Sequence, residues 1–129
     1  SPARDRFNPA WLSARLESFA NATPVDVQAT LTEFTASACC DCASSYKHNS
    51  KTLAVCGGGA LNGHLMARLQ QGCPDLQVLP TDQLGLPALQ VEAAAFAWLA
   101  RQALHAAPGN LPGVTGAVGP RVLGAVYPR

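Results

Sequence analysis

Apolar positions along the chain change rhythm several times, and each change marks an element. Between residues 8 and 22, Trp11, Leu12, Leu16 and Phe19 recur at helical spacing behind Asn8 and Pro9, a pair suited to opening a helix. A short docking helix is expected there, with Trp11 and Phe19 as core aromatics. Thr23, Pro24 and Asp26 then form a capping signature. Behind it Val27, Leu31, Phe34, Ala38 and Cys42 make one apolar stripe, predicting a long helix to about Tyr46 with that stripe inward. The polar positions between them, Gln28, Thr30, Thr32, Glu33 and Thr35, read as surface, although a face turned toward a cleft would look the same.

Residues 51–56 are too few for a helix and lie between turn residues, so they read as a buried strand. Gly57, Gly58 and Gly59 follow at once. Asn62 is placed to cap the next helix, whose Leu65, Met66 and Leu69 share a face until Gly72 stops it. Residues 76–79 predict a second strand and 81–87 a loop. Residues 88–106 predict a helix so nearly apolar all round that burial on most sides is expected. A Gly/Pro loop covers 108–119, and 122–126 reads as an edge strand between Pro120 and Pro128. The alternation implies an α/β layer with a short, mostly parallel sheet and flanking helices. Three strands are few for so apolar a helix, so either the chain oligomerises, for instance as a homodimer, or part of the sheet is missing.

Composition narrows the picture. A chain of 129 residues with 48% hydrophobic and 13% charged residues fits one domain and excludes a disordered one. A net charge of +1, with basic residues spread throughout, offers no stripe for nucleic acid or an anionic membrane. No apolar run approaches the ~20 residues of a membrane span, and no secretion signal opens the chain. Cys39, Cys40, Cys42, Cys56 and Cys73 are odd in number, and three crowd together, which suits a disulfide framework poorly and points to a reducing cytoplasm. The start at Ser1, with Met66 as the single methionine, suggests a piece of something longer.

A strand running into glycines and then a helix suits a phosphate or nucleotide, because glycine lets backbone approach a ligand and expose N–H groups. The string GGGALN matches neither the GxxxxGKS/T phosphate loop nor GxGxxG, so a tight turn without ligand fits the spacing as well. Glu92 is a lone carboxylate in VEAAAFAWLA. It either points to solvent in the first helical turn, where the helix dipole favours it, or contacts a substrate at a domain seam. Adjacent Cys39 and Cys40 diverge on a helix, so that cluster reads as small buried helix residues rather than a metal site. His48, His64 and His105 form no ligand or triad spacing, and only His64 lies near the glycine turn.

Five ordered strings share a further property: DVQATLTEFTA (26–36), VCGGGALN (55–62), TDQLGLP (81–87), VEAAAFAWLA (91–100) and GNLPGVTGA (109–117). Together they resemble the anhydro-N-acetylmuramic acid kinases, sugar kinases of the actin, Hsp70 and hexokinase superfamily. SPARDRFN at the N-terminus is similar to the family's KSTGRE-F-N string at Ser1, Arg4, Phe7 and Asn8, and departs from it at Pro2, Ala3 and Asp5. The resemblance implies an ATP- and Mg2+-dependent reaction that hydrolytically opens the ring of 1,6-anhydro-N-acetylmuramic acid. The product would be N-acetylmuramic acid 6-phosphate, formed in peptidoglycan recycling in the cytoplasm. It also implies a ribonuclease-H-like (actin-like ATPase) fold in two domains. Gly57, Gly58, Gly59, Ala60 and Asn62 match the family's nucleotide-side motif, and Glu92 matches a carboxylate facing the sugar. Gln28, Thr32 and Glu33 lie in a motif helix without individual roles.

The family's GTMSGTS-type phosphate loop and catalytic aspartate have no counterpart in the sequence. The chain therefore looks like a C-terminal third, with 1–22 as a docking helix region and 23–129 as a nucleotide-side subdomain. No catalytic or metal-binding residue is assigned to it, and the absent N-terminal part would be its partner. The competing classes are a non-catalytic α/β binding or interaction domain and a thiol or metal protein using the Cys39 cluster.

Overall fold

A computed structural model describes residues 6–46 and 49–127. The Ser1–Arg4 part of the family-like string, His48 and Pro128 lie outside the described residues. Helix α1 spans Pro9–Leu16, and the Asn8 side chain accepts the Trp11 N–H at 2.9 Å as its cap. Helix α2 runs Pro24–Tyr46. The Thr23 hydroxyl accepts the Asp26 N–H at 3.2 Å and donates to the Asp26 carboxylate at 2.7 Å, closing the expected capping signature.

The buried stripe of α2 is Thr32, Ala36 and Cys40, one helical phase away from the expected line through Phe34, Ala38 and Cys42. Phe34 instead turns to the other side, with its ring edge-on to Phe7 at 5.8 Å, while Phe7 meets Trp11 at 5.0 Å. The reason is close helix packing. Helix α3, Gly63–Gly72, lies on α2 so tightly that a Cβ at Gly72 would come within 2.8 Å of the Cys40 sulfur. At that approach α2 presents only small side chains.

The same approach joins Cys40 to Cys73 in a disulfide across 33 residues, with a Cα separation of 5.7 Å, against the expectation of unpaired cysteines. Cys39, Cys42 and Cys56 are free and exposed, so only Cys40 of the crowded three is a buried helix residue. Across the seam the exposed Glu33 carboxylate accepts from Arg68 Nε, and this bond holds the acid below its ordinary value of 4.5. A depressed folded-state pKa stabilises above that value and is lost as pH falls through it. The melting temperature of the wild-type chain is therefore expected to fall more steeply below pH 4.5 than that of Glu33→Gln, as thermal scans across that range would show. Parallel curves would exclude the linkage.

Strands β1, Thr52–Val55, and β2, Gln77–Pro80, pair in parallel from Thr52↔Gln77 to Val55↔Pro80, with α3 as the crossover. Ala36, Cys40, Leu69, Cys73 and Leu76 form the core, backed by Leu53, Val55, Leu65, Met66 and Val78. The chain is thus α/β with a two-stranded parallel sheet.

The expected third strand does not form. Residues 121–127 make no strand; Gly109 N–H donates to the Arg121 carbonyl at 2.9 Å, and Asn110 accepts the Arg121 N–H at 2.6 Å and donates to the Gly119 carbonyl at 3.1 Å. The loop's own hydrogen bonds hold this segment beside helix α4, Val91–Leu104, where Leu123 and Val126 line a shared cleft with Phe96 and Leu99.

Helix α4 also departs from expectation, since none of its residues is buried and Phe96 is 63% and Leu104 73% exposed. Two strands offer too little surface to cover an all-apolar helix. Phe19, expected in the core, is 65% exposed for a similar reason, lying past the end of α1. A short helix α5, Pro112–Thr115, completes the order. Among the described residues no helix is long and apolar enough to cross a membrane.

Candidate functional site

The carboxyl ends of β1 and β2 open onto two loops, the place where parallel α/β sheets hold ligands. After β1, Gly57 adopts φ 75°, ψ −171°, a conformation essentially confined to glycine. A 3-10 turn, Gly58–Leu61, follows. It is closed by Ala60 N–H donating to the Gly57 carbonyl and Asn62 N–H to the Gly59 carbonyl, both at 3.1 Å. The N–H groups of Gly58 and Gly59, first in the turn, have no acceptor within it.

The glycines are needed for different reasons. Gly57 answers to its backbone conformation. Gly59 answers to packing, because a Cβ there would sit 3.3 Å from Leu65 Cδ2. Gly58 answers to neither: its φ is ordinary and a Cβ would meet nothing within 4 Å. The fold leaves the space beside Gly58 open. Asn62 caps α3, its side-chain oxygen accepting the His64 and Leu65 N–H groups at 3.1 Å each, as expected from its position.

After β2, the Thr81–Leu84 turn ends at Gly85 with φ 88°. The Asp82 carboxylate accepts the Ala88 N–H at 3.1 Å, and the Ala88 carbonyl accepts the Gly57 N–H at 2.8 Å. Ala88 therefore clamps both loops together. Sequence reasoning assigned no role to Asp82; an acid ahead of the loop glycine in TDQLGLP is the signal that marks it.

Glu92 lies in the first turn of α4, four residues beyond Ala88, so the clamp brings its helix start beside the glycine turn. Its side chain is exposed. On the other flank, Gln28 and Thr32 of α2 face Asn62 and His64 across a groove of about 520 Å³. That matches the cleft reading of the polar face of α2, since Thr30, Glu33 and Thr35 line adjoining grooves. The Thr30, Thr32 and Thr35 hydroxyls each donate to a carbonyl one turn back, at 2.8, 2.9 and 2.9 Å. Among the described residues no group of three His, Cys, Asp or Glu side chains is placed to hold a metal ion.

The model of one protein family, described as anhydro-N-acetylmuramic acid kinase, matches residues 1–129, the full length of the sequence. The chain belongs to the anhydro-N-acetylmuramic acid kinase family. Curated anhydro-N-acetylmuramic acid kinases from Albidiferax ferrireducens and Variovorax paradoxus are 58% and 60% identical to it over 128 residues, 99% of this chain. One from Cupriavidus pinatubonensis is 53% identical over 131 aligned residues. The alignments cover 33%, 34% and 35% of those relatives, so the chain spans about a third of their length. The resemblance read from five motif strings is borne out.

Proposed function

We propose that this chain is the C-terminal part of an ATP-dependent sugar kinase and forms the nucleotide-side wall of its cleft. The reaction is the hydrolytic opening and phosphorylation of 1,6-anhydro-N-acetylmuramic acid to N-acetylmuramic acid 6-phosphate, in peptidoglycan recycling. The observation that carries this reading is Gly58, a glycine that neither backbone conformation nor packing requires, at the start of a turn whose first N–H groups have no acceptor within it. A ligand lying against the turn accounts for it. Gly57, Gly58, Gly59, Ala60 and Asn62 would hold the nucleoside end of ATP, which supplies the phosphoryl group when bound. Glu92, brought near by the Ala88 clamp, would accept sugar hydroxyls.

Mg2+ would accompany ATP in the complete enzyme, and no residue of this chain is assigned to it. The architecture proposed is a ribonuclease-H-like, two-domain one, in which 1–22 forms a docking region and 23–129 the nucleotide-side subdomain. The remaining length of such an enzyme would cover the bare faces of α1 and α4, in place of a second copy. The setting is the cytoplasm, where burial of both Cys40 and Cys73 restricts access by reductants.

This reading predicts that the isolated chain, given ATP and the anhydro-sugar, forms no 6-phosphate product, because stabilising charge at the γ-phosphate needs groups it lacks. Product formation by the chain alone, followed by chromatography, would overturn the assignment of the chemistry to other residues.

A further inference from the structure

Cys40 and Cys73 are both buried, and their disulfide closes a loop of chain that contains β1, the glycine turn and all of α3. The seam accommodates the open form of the pair as well. The Cys40 sulfur lies 3.5 Å from the Leu69 carbonyl, so as a thiol it has an acceptor already in place. Gly72, lacking a Cβ, gives that sulfur its room in either form. Cys39, Cys42 and Cys56 are free and exposed, outside the seam.

We propose that Cys40 and Cys73 form a redox latch, a clasp that oxidation closes across the α2–α3 seam and that a reductant reaches only when the seam opens. The closing step is exchange with a small disulfide such as oxidised glutathione. In an opened seam one cysteine thiolate attacks a glutathione sulfur, forming a mixed disulfide and releasing one glutathione thiolate. The other cysteine thiolate then attacks the protein sulfur of that mixed disulfide and releases the second glutathione. The two protein thiols lose two electrons, the glutathione disulfide gains them, and the two protons end on the two glutathione thiols. Once closed, the latch restricts the unfolded chain across a sequence separation of 33 and so stabilises the fold. Reversal needs the same opening, because a thiolate must reach a sulfur that the packed helices cover.

The test uses a variant in which the three exposed cysteines are replaced, Cys39→Ser, Cys42→Ser and Cys56→Ser, so that only the pair remains. After equilibration with oxidised glutathione it is expected to show no free thiol in denaturant and no attached glutathione by intact mass. Its melting temperature should stand roughly 10 °C above that of the same variant held in dithiothreitol. The wild-type chain, run alongside, should show the same shift, and adding Cys73→Ala should remove it. Reduction by dithiothreitol should be at least about 10-fold slower under native conditions than in denaturing urea, as expected when attack waits on opening. Two free thiols or a glutathione adduct in place of the pair, or equal melting temperatures in the two states, would overturn the clasp. Reduction as fast in the native chain as in urea would overturn its action as a latch.

Discussion

Leu69→Ala is expected to leave the chain largely unfolded near physiological temperature. Leu69 is 3% exposed and sits where α3 meets α2, among Ala36, Cys40, Cys73 and Leu76. Truncating a leucine in such a site costs roughly 2–5 kcal/mol, the spread reflecting how far neighbours collapse into the space. Here collapse is restricted, because Gly72 and Cys40 are already in contact and Cys40 is tied to Cys73. The whole stability of a domain is only about 5–15 kcal/mol, and much of this chain's apolar surface lies outside its core. Urea melts followed by circular dichroism should show the midpoint fall sharply or the folded baseline vanish. Leu104→Ala, at a position 73% exposed, should stay within about 0.5 kcal/mol of wild type. Equal effects of the two would mean that the α2–α3 seam is not the core.

Gly58→Leu is expected to abolish measurable ADP binding, a loss of at least about 30-fold or 2 kcal/mol, while the melting temperature holds. The argument is the difference between neighbouring glycines. A side chain at Gly58 projects into open space, so the folded chain does not resist it, whereas a nucleotide against the turn would collide with it. Gly57→Ala separates the two effects from the other direction. Its φ of 75° with extended ψ strains any side-chain-bearing residue, and about 1–3 kcal/mol of stability should be lost whether or not nucleotide is present. Calorimetry with ADP and thermal scans on the two variants check both statements. Unchanged ADP affinity in Gly58→Leu would leave the turn a connection without a ligand.

What the sequence revealed and what it hid divide along the range of the interactions. The caps at Asn8, Thr23 and Asn62 are formed within a few residues, and they were legible because their partners lie three positions away or fewer. Helix α2 was legible as an element but not in phase. Phe34 drew the apolar stripe toward itself, while the real seam selects small residues, and only the position of α3 reveals that. Helix α4 shows the limit of composition: eleven apolar residues among its fourteen say that a helix wants a cover, not that one is near.

Residues 122–126 have a strand's composition, yet a strand also needs an edge to pair with, and Asn110 holds that segment elsewhere. The Cys40–Cys73 pair was hidden for the same reason, since its contact depends on two helices meeting. In the candidate site, the glycine turn was legible as a group and Glu92 as an anomaly. The separate demands on Gly57, Gly58 and Gly59 needed the backbone angles and the position of Leu65. The Ala88 clamp needed both loops in place, because its bond to Gly57 joins residues 31 positions apart.

The most direct test of the nucleotide wall is an amide chemical-shift titration of the 15N-labelled chain with ADP. Saturable shifts are expected at Gly58, Gly59 and Asn62, with Phe96 and Leu104 unmoved. Resonances of residues 57–62 that stay in place at about 10 mM ADP, well above the ~1 mM scale of weak binding, would contradict the account.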